Sequence, residues 1–179
     1  MEDIKRDLEK IFREASTSDE LFDAFERSLN YKIKDIQIYK ILLGNILLST
    51  DEIKLFTEKL CSEFPEYSSE LYMWTANILE SNPKTDNLDS AFQYYNKAIS
   101  IKPADHQPYC SILKMYNNDL DYPPRKQIEL LFEKGMNEVK LRSKLCLAIA
   151  DFYDRTNEPS LKKKFQRLAS SFSKKENLS

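Results

Sequence analysis

The side chains able to do chemistry are few and far apart. The 179-residue chain has one histidine, His106, and three cysteines, Cys61, Cys110 and Cys146. A catalytic thiol needs an imidazole oriented beside it and further groups to orient and stabilise. His106 lies in Pro103-Ala104-Asp105-His106-Gln107-Pro108, which reads as a helix-start turn, so it reads as structural. The cysteines are odd in number, widely spaced and without a CxxC pair. Each is set among apolar neighbours and reads as a buried, reduced thiol. A single histidine excludes two-histidine zinc motifs. With 2 glycines in the chain, phosphate-cradling loops and nucleophile elbows are excluded as well. Carboxylate pairs such as Asp119/Asp121 and Asp151/Asp154 read as solvated charges. No catalytic, cofactor-binding or metal-binding residue is assigned, and the chain is expected not to be an enzyme.

What remains is a matter of surfaces and the elements that carry them. Lys+Arg is 27 and Asp+Glu is 29, leaving −2, so no global polycation for nucleic acid follows. The charge is nevertheless segregated. Residues 1–60 hold 10 basic and 13 acidic side chains, residues 61–120 hold 4 and 8, and residues 121–179 hold 13 and 8. The last third is thus a basic end on an acidic body, centred on Lys162, Lys163, Lys164, Arg167, Lys174 and Lys175. The first residues are polar and lack the apolar stretch of a signal peptide. The longest apolar run, Ile41 to Leu48, is interrupted and too short to span a bilayer. A soluble, intracellular protein of the cytoplasm or nucleus is expected.

Hydrophobic periodicity predicts ten helices and no sheet. Ile4, Leu8, Ile11 and Phe12 mark the first helix, and Ser18 is read as the cap of the second, lined by Leu21, Phe22, Phe25 and Leu29. A third carries Ile36, Tyr39, Leu43, Ile46 and Leu47. Thr50-Asp51-Glu52 opens the fourth, Ser69–Ser81 forms the fifth, and 82–87 is read as a loop. The sixth runs through Leu88, Ala91, Tyr95 and Ala98. The rest follow near 108–117, after Pro123-Pro124, at 140–155 and at 159–173. Prolines fall at helix boundaries, where a missing N–H costs least.

These helices pair with a period. Odd-numbered helices begin near 33, 68, 105 and 140. Ala91-x3-Tyr95-x2-Ala98-x4-Pro103 resembles the second-helix signature of a tetratricopeptide repeat, with Tyr72-x2-Thr75-Ala76-x2-Leu79 as its first helix. Weaker echoes are Leu43-Gly44-x2-Leu47, Ile128-x3-Phe132-x2-Gly135 and Leu161-x3-Phe165-x2-Leu168. The longer loop at Asn82–Asn87 and the missing consensus tryptophan suit the related half-a-TPR class. Small residues, Gly44, Ala76, Ala91, Ala98 and Ala150, are expected to let helix axes approach closely.

The resemblance implies an all-α fold: a right-handed α-solenoid of about five antiparallel helix pairs. It spans 1–179 as a single domain, with a degenerate cap pair at about 1–32 and repeat units at 33–67, 68–104, 105–139 and 140–174. It also implies a concave groove lined by the odd helices, with Ile41, Asn45, Met73, Asn77, Lys114, Lys144 and Leu147 as protein-binding residues. Ile38, Leu48, Glu70, Glu80, Gln107, Cys110, Asn117, Asp151 and Arg155 project there too. Asn45 and Asn77 occupy matching places and are expected to hold a peptide backbone. Chaperone-tail clamps of the family need Lys, Asn and Arg where Met73, Ser111 and Ala148 stand, so no such clamp is expected. The implied function is a protein-interaction scaffold or adaptor that binds a peptide or helix of a larger complex. A second reading is a half-a-TPR subunit of an RNA-processing complex, its basic helix meeting RNA or an acidic partner. RNA contact has thin support, because Phe165 and Phe172 fall on the apolar side of that helix.

Overall fold

The computed structural model describes residues 2–81 and 85–178. The described residues are all-helical, with no strand. The helices are α1 (Glu2–Glu14), α2 (Ser18–Asn30), α3 (Ile36–Leu43), α4 (Thr50–Glu63), α5 (Ser68–Ser81), α6 (Thr85–Ile101), α7 (Gln107–Met115), α8 (Arg125–Glu138), α9 (Arg142–Arg155) and α10 (Pro159–Glu176). Pro65, expected just past α4, opens a short 3-10 turn, Pro65–Tyr67.

Local chemistry explains most boundaries. Ser49 and Glu52 form a reciprocal capping box at the start of α4. The cap of α2 is Thr17, whose hydroxyl accepts from the Glu20 N–H, so the expected Ser18 is instead the first helical residue. Residues 82–84 of the expected 82–87 loop lie outside the described residues, and α6 is already helical from Thr85. The largest departure is α3. It stops at Leu43, and Ile46 and Leu47 stand outside it, 97% and 37% exposed. The amide of Asn45 holds this ending: its Nδ2 donates to the Phe12 carbonyl at 2.9 Å and its Oδ1 accepts from the Leu47 N–H at 2.9 Å. A side chain that bonds its own backbone two residues on competes with helix continuation.

The chain forms two compact units, residues 1–91 and 92–179, and the division falls within α6, inside the expected 68–104 repeat. In the first unit α1 packs on α2 and on α3, α3 on α4 and on α5, and α4 on α5. Leu8, Phe12, Leu21, Tyr39, Leu42, Leu43, Phe56 and Leu60 fill its core, and Phe25 stacks on Phe56 with centroids 4.3 Å apart. The buried Thr57 hydroxyl donates to the Ile53 carbonyl and accepts from the Thr75 hydroxyl, each at 2.7 Å, joining α4 to α5. In the second unit α7 packs on α8 and α9, and α9 packs on α8 and α10. Tyr109, Ile112, Ile128, Leu145, Ile149 and Phe152 are wholly buried there. Ala91, Tyr95 and Ala98 of the α6 signature are each at 0% exposure.

The two glycines differ in role. A Cβ on Gly135 would sit 2.7 Å from Leu145 Cδ2 and 3.1 Å from the Tyr109 ring, so this glycine is where the α8 backbone approaches its neighbours closely. Gly44 is exposed, and a Cβ there would meet only the Lys40 and Ile41 carbonyls of its own helix. The expected close-approach role of Gly44 is therefore incorrect.

Candidate functional site

In the first unit the candidate face lies on α3 and α5. Glu70, Met73 and Asn77 recur at i, i+3 and i+7 and share one side of α5. Met73 is half-buried and Asn77 exposed. Ile41 is half-buried and packs against the core. Lys40 reaches across from α3 to pair with Glu70 and lies over the Trp74 ring, 5.5 Å from its centroid. The Trp74 indole N–H donates to the Lys40 carbonyl at 3.0 Å. These ties fix the side chains of α5 against α3. Asn45 does not join them: it sits past the end of α3, and its donor and acceptor both serve the fold. Ile38 and Leu48, at 1% and 8% exposure, are core residues and not groove residues.

In the second unit the face lies on α7 and α9. Lys114 and Lys144 are exposed, and Leu147 is 56% exposed one turn beyond Lys144. The charge of both ammonium groups pulls the Cys110 thiol down. Burial nevertheless dominates and pushes that thiol up to about 11. His106 is half-buried; burial, then Lys144, pull its imidazole below the usual value. At neutral pH both groups are uncharged, the opposite of a thiolate–imidazolium pair. Two projected groove residues have other roles. Arg155 donates to the Tyr116 and Leu113 carbonyls at 3.0 and 2.5 Å, capping the end of α7. Asn117 lies beyond α7, and its Oδ1 accepts from the Asp119 and Leu120 N–H groups.

The basic face is on α10. Lys162 pairs with Asp154 at 2.8 Å, while Lys163, Lys164 and Arg167 are exposed. Phe165 stacks on Tyr153 with centroids 5.6 Å apart, and Phe172 lies beneath the Arg142 guanidinium at 5.8 Å. Both aromatic rings of the helix are thus engaged in packing.

Sequence reasoning put Glu70 on the groove but missed its tie to Lys40 and Trp74, although Glu70 at i−4 from a lone tryptophan was a visible signal. It also missed Glu176, whose carboxylate accepts from the Ser143 N–H at 3.0 Å and from the Ser143 hydroxyl, closing α10 onto the start of α9. Nothing local pointed to that contact. Among the described residues no three His, Cys, Asp or Glu side chains cluster as metal ligands would, and no helix is long and apolar enough to cross a membrane. No family model matches the chain, and no curated protein or solved structure matches it.

Proposed function

We propose that the chain is a non-catalytic protein-interaction scaffold built from tetratricopeptide-like helix pairs. The accessible sides of α3/α5 and of α7/α9 present binding faces to a peptide or helix of a larger complex. One observation carries this reading: within each unit an odd-numbered helix packs on the next odd-numbered helix, α1 on α3 on α5 and α7 on α9. A repeat whose first helices pack side by side leaves their opposite sides in one row, which is how helical-repeat proteins make binding surfaces. Met73, Asn77, Lys114, Lys144 and Leu147 stand on those sides and none is in a core. Ile41 borders the first face. Asn45 is withdrawn from the set because its amide is engaged.

Affinity purification with and without nuclease tests the reading against the RNA-processing alternative. Partners retained after nuclease, and lost in Met73→Glu/Asn77→Ala or in Lys114→Glu/Lys144→Glu/Leu147→Asp proteins of unchanged helicity, support a protein scaffold. Partners lost on nuclease treatment alone favour the RNA reading.

A further inference from the structure

Lys163, Lys164, Arg167 and Lys174 on the outer side of α10 make no ion pair with any described residue, and none of the four is buried. Lys163, Arg167 and Lys174 follow the helix repeat in a nearly straight row about 16 Å long. Ser170 and Ser171 lie between the last two of them, and no acidic residue occurs from Ser160 to Lys175. The neighbouring carboxylates are engaged elsewhere: Asp154 with Lys162, Glu158 with Arg125 and Glu176 with Ser143. The Glu176–Ser143 contact sets the last turn of α10 beside the first turn of α9, where Lys140, Leu141 and Arg142 precede Ser143. Leu141 is 40% exposed and Leu178, which follows α10, is 88% exposed. The unit that carries all of this holds 16 basic and 10 acidic side chains, whereas the 1–91 unit holds 11 and 19.

We propose that the outer side of α10, with Leu141 and Leu178 at its far end, docks on the surface of an anionic phospholipid bilayer. The row of cations meets lipid phosphates and carboxylates, and the two leucines enter the headgroup boundary without crossing the membrane. Three features favour this partner over RNA or an acidic protein. The row runs along the exposed side of a single helix rather than between facing elements that could enclose a strand. Phe165 and Phe172 are turned into packing contacts, so no ring is offered to a base. The exposed apolar side chains sit beside cations at one end of the row, as in peripheral membrane anchors, rather than at the centre of a rimmed patch as protein hot spots do. Polybasic segments gain attraction with each cation near an anionic surface, and that attraction falls within a Debye length.

The test is co-sedimentation of the full chain with vesicles of phosphatidylcholine alone and of phosphatidylcholine with an equal part of phosphatidylserine. Binding is expected only to the second, and is expected to fall steeply with added salt. Lys163→Glu/Arg167→Glu/Lys174→Glu is expected to weaken it at least about tenfold. Leu178→Ser is expected to weaken it by a smaller factor while the salt dependence stays the same. Circular dichroism of each variant confirms that α10 remains helical. Equal binding to both vesicles, no binding to either, or binding unchanged in the triple variant would each overturn the proposal, and tight binding to single-stranded or duplex RNA without vesicle binding would overturn it in favour of nucleic acid.

Discussion

Asn45 bridges two parts of the first unit through one side chain. Its Nδ2 satisfies the Phe12 carbonyl, one of the last four of α1, which have no partner inside their own helix. Its Oδ1 satisfies the Leu47 N–H in the connection to α4. Asn45→Ala is expected to cost about 1–2 kcal/mol, read as a lower urea midpoint at unchanged slope. A variant as stable as wild type would show that water replaces both bonds. The glycines give a second test. Gly135→Ala gains about 1 kcal/mol of helix propensity but drives a methyl into Leu145 and Tyr109, both fully buried. Overpacking of this kind costs about 1–3 kcal/mol, so a net loss is expected. Gly44→Ala, on a helix-like backbone with φ of −84° where the methyl meets the Lys40 carbonyl at 3.2 Å but no side chain, is expected to stay within about 0.5 kcal/mol. Differential scanning calorimetry of the pair decides whether close approach belongs to Gly135 alone. The repeat pattern places both glycines at small-residue positions, and it cannot separate them, because what distinguishes them is the Leu145 and Tyr109 side chains of other helices.

At the scale of elements, helix identity was readable and some helix ends were not. The capping box of α4 and the prolines at helix starts are local signals, and among the described residues ten helices stand where the periodicity puts them, α3 ending early. The end of α3 is set by Phe12, 33 residues away, and the junction of α9 and α10 by Glu176, also 33 residues from Ser143. A reading of periodicity has no access to such partners. The second contact yields a pH prediction. The Ser143 hydroxyl hydrogen bond, first among its causes, holds the Glu176 carboxyl below the usual carboxylate range. A group with a lowered folded pKa contributes stability above its unfolded value, and that contribution is lost as pH falls through the folded value. Removing a helix cap costs about 0.5–2 kcal/mol. Glu176→Ala is therefore expected to be less stable than wild type at neutral pH by about that amount, with the gap closing in acid below the carboxylate range. Thermal melts across that range check it, and a gap independent of pH would assign the loss to packing instead.

For the whole molecule, the net charge of −2 conceals two opposed halves. The 1–91 unit is net −8 from its 11 basic and 19 acidic residues, and the 92–179 unit is net +6 from 16 and 10. The sequence already displayed this as an acidic body with a basic last third. Such a distribution orients an approaching charged partner and raises its association rate more than its final affinity. On the scaffold reading proposed above, contacts made on α5 would act after encounter and govern how long the complex lasts. The two effects are separable in one kinetic experiment on a purified protein partner. Lys163→Glu/Lys164→Glu/Arg167→Glu spares Lys162, whose pairing with Asp154 helps hold α10. It is expected to lower the association rate several-fold at low salt, leave dissociation unchanged, and lose its effect as salt is added. Met73→Glu with Asn77→Ala is expected to raise the dissociation rate until no complex is retained, at every salt concentration. If charge reversal alone removes the complex while the α5 variant binds as wild type, the binding face is on α10, and the stripe on the odd-numbered helices is an ordinary solvated surface.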